Sequence, residues 1–119
     1  MGMPLDVLMF QQACDQKSSP ENAALYKSLM EEEFKEFIDA HWARDEVEML
    51  DGCMDLIWVT FGFCHMKGYD VAGAWNEVVA TNMAKVDPVT RKVKRREDGK
   101  IMKPEGWKPP DLSKFVKKP

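Results

Sequence analysis

DEVEMLDGCMDLIWVTFGFCHMKG, residues 45–68, opens with an aspartate three residues ahead of Glu48 and closes on Lys67-Gly68. Asp45 and Glu48 read as a capping box, and Gly68 suits the left-handed position that ends a helix. Between these signals Leu50, Met54, Leu56, Ile57, Trp58, Val59, Phe61 and Phe63 surround the axis on nearly every side, the pattern of a central, buried helix. Its acids occupy one strip. With Asp55 as origin and about 100° per residue, Asp51 falls at about −40° and Glu48 at about +20°.

The flanking sequence supplies three more helices. Ser19-Pro20-Glu21 is a cap, an N1 proline and an early acid, starting a long helix to about Arg44. Pro4 with Leu5, Leu8, Met9 and Gln12 marks a first helix to about Gln16. Asp70 caps a fourth, with Val71, Ala74, Trp75 and Val78 as its buried stripe and Asn82 continuing it, and Asp87-Pro88 stops it. Strand signals are absent until 92–103, where Asp98-Gly99 predicts a hairpin, followed by an extended arm. The expected fold is all-α, an antiparallel four-helix bundle over 1–87, with a basic hairpin and arm over 88–119 that packs on it or on a neighbouring subunit.

On the second helix, Met30, Phe37, His41, Phe34, Tyr26, Leu29 and Leu25 form a wide apolar face. Glu33 and Glu36 fall inside it, at about −60° and −120° from Met30, and Glu32 sits on its edge. Burying an unpaired carboxylate costs several kcal/mol, so such groups take up protons or find a cation. Arg44, Lys35 and Lys67 lie at helix ends or on the solvent side. A hard divalent ion such as Mg²⁺, with Mn²⁺ as a substitute, suits oxygens facing one another from two antiparallel helices. Glu48 already has a role as the capping-box residue, whereas Asp51 and Asp55 have none.

Charge is segregated along the 119 residues: six Lys/Arg against sixteen Asp/Glu over 1–87, and eleven against four over 88–119. An overall −3 argues against a general nucleic-acid surface. Cys14, Cys53 and Cys64 form no CxxC pair, and the apolar run from Leu56 to Met66 is far short of the roughly 20 residues a membrane span needs. The expectation is a cytoplasmic protein without a nucleic-acid or membrane partner. An all-round apolar third helix exceeds what one short chain covers, so a homodimer or homotetramer is expected.

Glu32-Glu33-Phe34-Lys35-Glu36, then Glu48-Met49-Leu50-Asp51 and Asp55-Leu56-Ile57-Trp58, resemble the EExxE and ExxD pattern of the all-α nucleoside triphosphate pyrophosphohydrolases, a group that includes MazG, the dimeric dUTPases and phosphoribosyl-ATP pyrophosphohydrolase. Thr81 to Lys85, Arg96 to Lys100 and Lys103 to Leu112 look like the NMxK and "DGK…PPDL" ending of small MazG-like proteins of phages and mobile elements. In the usual ExxD pattern a glutamate precedes the second aspartate by three, a place held here by Gly52. Either Asp51 substitutes one step earlier, or Glu48 and Asp51 are the functional pair.

The resemblance implies Mg²⁺-dependent hydrolysis of a nucleoside triphosphate to monophosphate and diphosphate by residues 1–87. Glu33, Glu36, Asp51 and Asp55, with Glu48, would hold metal, while Glu32 orients or deprotonates a water. Asn82 would contact sugar or phosphate, and Lys85 phosphate. Arg95, Arg96 and Lys103 are candidates for gripping a polyphosphate, with Trp107 as an anchor of the arm. Phe10 and Gln11, with Trp42 and Trp58, are candidates for a base pocket. Two alternatives stay open: a non-catalytic helical adaptor, and a phosphoribosyl-ATP hydrolase.

Overall fold

A computed structural model describes residues 2–116. Its helices are α1 (Met3–Ala13), α2 (Pro20–Trp42), α3 (Glu46–Met66) and α4 (Val71–Met83), with a 3-10 turn at Ser113–Phe115. Among the described residues the only β pairing is a single antiparallel bridge between Arg95 and Ile101. The fold is all-α and bundle-like. Two compact units divide the chain, one reaching Val71 and the other running from Ala72 to Phe115, so α4 shares a unit with the arm.

In the first unit local chemistry sets the helix ends. The Ser19 hydroxyl accepts from the Asn22 N–H, and the Asp45 carboxylate accepts from that of Glu48. Three C-termini close alike, with Asp15, Arg44 and Gly68 in the left-handed region at φ 56°, 58° and 74°. Each is followed by an N–H reaching back to a carbonyl of the last turn: Gln16 to Gln11, Asp45 to Ala40 and Tyr69 to Cys64. This closure alters the capping box. The Asp45 N–H is consumed by Ala40, so the Glu48 carboxylate lacks the partner expected of it.

Helices α2 and α3 form the antiparallel core. Gly52 meets Phe37 and Gly62 meets Tyr26, so the contacts run in opposite directions along the two helices. A Cβ on Gly52 would come within 3.2 Å of the Phe37 Cα, and one on Gly62 within 2.3 Å of the Tyr26 ring. Two glycines thus set the helix spacing. Ala23, Tyr26, Val59 and Met66 form the core, flanked by Leu29, Met30, Leu56 and Phe63. Helix α1 packs on α3 through buried Val7 and Gln11, and Pro4 O is hydrogen-bonded to His65 Nε2.

Two burial expectations are corrected. Helix α3 is central but not covered all round, because α1 and α2 close over the side of Gly52, Val59, Gly62 and Met66 while Leu50 stays 62% exposed and Met54 51%. On α4 no residue is fully buried, Trp75 is 60% exposed and Asn82 is exposed. The unit offers α4 only an irregular arm to bury against.

That arm is built from short-range closures. The Asp87 carboxylate accepts from the Val89 and Thr90 N–H groups, and the Asp87 N–H donates to Lys92 O. The hairpin turns at Asp98-Gly99, where Gly99 adopts φ 85° and the Asp98 side chain accepts from the Lys100 N–H. The Trp107 indole N–H donates to Thr81 O at 2.7 Å, tying the arm to α4.

Candidate active site

The buried stripe of α2 runs through Ala23, Tyr26 and Ala40, with Phe37 half-buried, and Glu33 lies within it. Phe34, expected on that face, is 54% exposed. The contact face is narrower than the hydrophobic pattern and is centred nearer the glutamate. Across the antiparallel pairing that places Phe37 against Gly52 and Tyr26 against Gly62, Glu33 falls level with the middle of α3. There Asp51 and Asp55 stand one turn apart, on either side of the Gly52 contact.

Four carboxylates therefore act on one another. Burial pushes Glu33 up to about 7, assisted by a carboxyl hydrogen bond with Glu36 and by the charges of Glu36, Asp55 and Asp51. Asp55 is raised for the same reasons, first by burial, then by the charges of Asp51 and Glu36 and a hydrogen bond with Asp51. Glu33 Oε2 is buried without a hydrogen-bond partner, and the ion pairs among the described residues, Lys27–Glu31 and Arg96–Asp98, involve none of the four. Glu32 and Glu48 are exposed, and neither adds to the charge acting on Glu33 or Asp55.

The donors fit a hard cation. All are carboxylate oxygens, one is orphaned, and no basic side chain neutralises them. They are not a closed cage, because among the described residues no three His, Cys, Asp or Glu side chains converge closely enough to enclose a metal. Mg²⁺ does not require one: it commonly takes one or two carboxylates and completes its shell with water and substrate phosphates.

Without metal, this cluster makes stability depend on pH. Glu33 binds its proton more tightly folded, at about 7, than at the ordinary value of 4.5, so stability falls as pH rises through that window. In EDTA the melting temperature should drop between pH 5 and pH 8. Glu33→Gln should flatten part of the slope and melt about 5 °C higher at pH 8, leaving the remainder to Asp55. An unchanged slope in thermal melts would show that Glu33 is not held protonated.

The other candidates are distributed as follows. Phe10 is 50% exposed and meets Trp58 edge-on, with ring centroids 5.5 Å apart. Gln11 is fully buried, its amide nitrogen donating to Gly62 O, which fastens α1 to α3. Trp42 lines a cavity at the α2–α3 turn with His41, Arg44, Glu46 and Met49. In the second unit Lys85 donates to Asn82 Oδ1, and Lys85 and Lys103 each stand 4.9 Å from the centre of the Trp107 ring. The arginines make contacts within the hairpin: Arg95 donates to Gly99 O, and Arg96 pairs with Asp98. A signal for this lay in the sequence, since Arg96 precedes the turn aspartate by two residues. The role of Gly52 and Gly62 as helix contacts was not legible from spacing.

Residues 8–82, which contain all four clustered carboxylates, match the family described as phosphoribosyl-ATP pyrophosphohydrolase. The chain belongs to that family. Membership places it among the all-α pyrophosphohydrolases, enzymes acting on phosphoric anhydrides, at the level the acid motifs had implied. Phe10, Gln11 and Asn82 lie inside the family match, while Lys85, Arg95, Arg96 and Lys103 lie beyond it. No curated protein matches the chain. No helix is long and apolar enough to cross a membrane among the described residues.

Proposed function

We propose that the protein is a MazG-like, Mg²⁺-dependent nucleoside triphosphate pyrophosphohydrolase, adding water across the α–β anhydride to give monophosphate and diphosphate. The observation that carries this reading is the group of four mutually repelling carboxylates, one with an orphaned buried oxygen, on two packed helices of a pyrophosphohydrolase family member. Glu33, Glu36, Asp51 and Asp55 would hold the metal, with Mn²⁺ as a substitute ion. Bound there, it supplies Lewis-acid chemistry, neutralising the triphosphate and activating water. Glu32, exposed beside Glu33, takes the proton from the attacking water. The exposed Phe10–Trp58 pair, in the same unit as the carboxylates, offers an aromatic platform for the base.

Pyrophosphate release measured with Mg²⁺ over the common ribo- and deoxyribonucleoside triphosphates and phosphoribosyl-ATP tests the proposal. Turnover of at least one free triphosphate supports it. Hydrolysis confined to phosphoribosyl-ATP would make the substrate the one in the family's description, a second reading favoured by the match over 8–82. An adaptor would release none and gain no melting temperature from Mg²⁺. The open apolar surface at Trp42, Val47, Leu50 and Met54 supports self-assembly as a homodimer or homotetramer, which light scattering would report.

The two motif registers make opposite demands. With its capping bond absent, Glu48 is available, but it stands outside the charge cluster. Asp51→Asn should therefore cost about 10² or more in kcat, and Glu48→Gln less than about tenfold. The reverse ranking in steady-state kinetics would make Glu48 the principal ligand.

A further inference from the structure

Helix α1 carries apolar residues well beyond the face it buries, with Met3, Leu5, Met9 and Phe10 all exposed. Hydrophobicity alone therefore does not choose how α1 lies on α3. Its buried residues are Val7 and Gln11, one turn apart, and Gln11 makes the directional contact, its Nε2 donating to Gly62 O at 3.1 Å. The backbone there is within reach because Gly62 has no Cβ, which would come within 3.0 Å of Gln11 Nε2. Turning the amide round would set its oxygen against the Gly62 oxygen. Gln11 Oε1 is buried without a hydrogen-bond partner, so the bond gained at one end of the amide is offset by an unsatisfied group at the other. The side chain supplies direction more than stability.

That direction is set beside the aromatic pair. Phe10 immediately precedes Gln11, and Trp58 lies one turn before Gly62, so the bond from Gln11 to Gly62 and the edge-on ring contact from Phe10 to Trp58 are neighbouring rungs between the same two helices. The contact through Val7 is apolar and tolerates sliding or rolling of α1, whereas a hydrogen bond weakens steeply when its angle is lost. We propose that Gln11 is a positioning residue for the nucleobase, holding α1 in the register that sets Phe10 edge-on to Trp58 and acting on base affinity through those two rings. The inference rests on the hydrolase reading with Phe10 and Trp58 as the base platform.

Gln11→Met, which keeps the length of the side chain and removes the donor, tests it in the full chain. The variant should keep the parent's circular dichroism and melt within about 5 °C of it. In the nitrogen-15-labelled protein without ligand, the Trp58 indole N–H resonance, assigned with Trp58→Phe, should move in the direction it takes in Phe10→Leu. With Mg²⁺ and dATP, dGTP, dCTP or dTTP, KM should rise about tenfold and kcat stay within about twofold, while inhibition by inorganic triphosphate, which has no base, is unchanged. Ser18→Ala, which removes another bond to an α3 carbonyl, that of Met66 one turn farther from Trp58, should leave the resonance and KM as in the parent. An unmoved Trp58 resonance would overturn the proposal. So would a fall in kcat at constant KM, equal losses for triphosphate with and without a base, or unfolding of both Gln11→Met and Gln11→Leu, which would mark the amide as necessary to the fold. A parent that releases no pyrophosphate would sink the hydrolase reading, and the Trp58 resonance alone would then support or overturn the positioning.

Discussion

Asp55→Asn should leave a folded protein that releases pyrophosphate at least about a hundredfold more slowly than the parent, because under the proposed function it removes one of the charges that would hold the metal. The two readouts should move in opposite directions. Asp55 is raised by burial and by Asp51 and Glu36, so an amide there relieves repulsion, and the metal-free variant should melt at or above the parent's temperature. Glu36→Gln should behave alike, since its charge acts on both Glu33 and Asp55. Near-normal turnover in either variant, measured at saturating Mg²⁺, would remove these carboxylates from the chemistry. Lost activity together with a lower melting temperature would mark the group as structural.

Gly62→Ala should unfold the protein more easily by about 2 kcal/mol or more, although alanine is the better helix former by about 1 kcal/mol. The added Cβ would sit 2.3 Å from Tyr26 Cε1 and 2.5 Å from Cδ1. The ring cannot swing clear, because Tyr26 is only 3% exposed and its hydroxyl donates to Gln16 Oε1. The same Cβ approaches Gln11 Nε2 at 3.0 Å, threatening the bond that joins α1 to α3. Denaturant unfolding checks this, and a variant as stable as the parent would mean that α2 and α3 are spaced otherwise. Gly68→Ala, with nothing within 4 Å of an added Cβ but φ at 74°, isolates the backbone cost from the packing cost.

Helix boundaries were legible because they depend on neighbours in the chain. Ser19-Pro20, Asp45 and Gly68 act within one turn, and the structure uses each of them where expected. The all-α class and the two acid stripes followed from period and composition in the same way. Family membership came differently, from the resemblance of the quoted acid motifs, and the match over residues 8–82 shows it at the coarser level.

What the one-dimensional pattern could not supply was which part of each apolar face would be used. Phe34 and Leu50 satisfy the helical period as well as Tyr26 and Val59, yet they stay exposed, because Gly52 and Gly62 let α2 and α3 approach along one particular line. That line places Glu33 in the contact with Glu32 outside it, as the helical angles had ordered them, but it also leaves out Glu48, which those angles had put in one strip with Asp51 and Asp55. The same holds in the arm. Lysines and arginines are equivalent in a charge count, but the turn at Asp98-Gly99 claims Arg95 and Arg96 and leaves Lys92 and Lys94 facing a cavity. A side chain's own chemistry is local, whereas its burial and its partners are properties of the surfaces brought against it, and only the packed chain decides those.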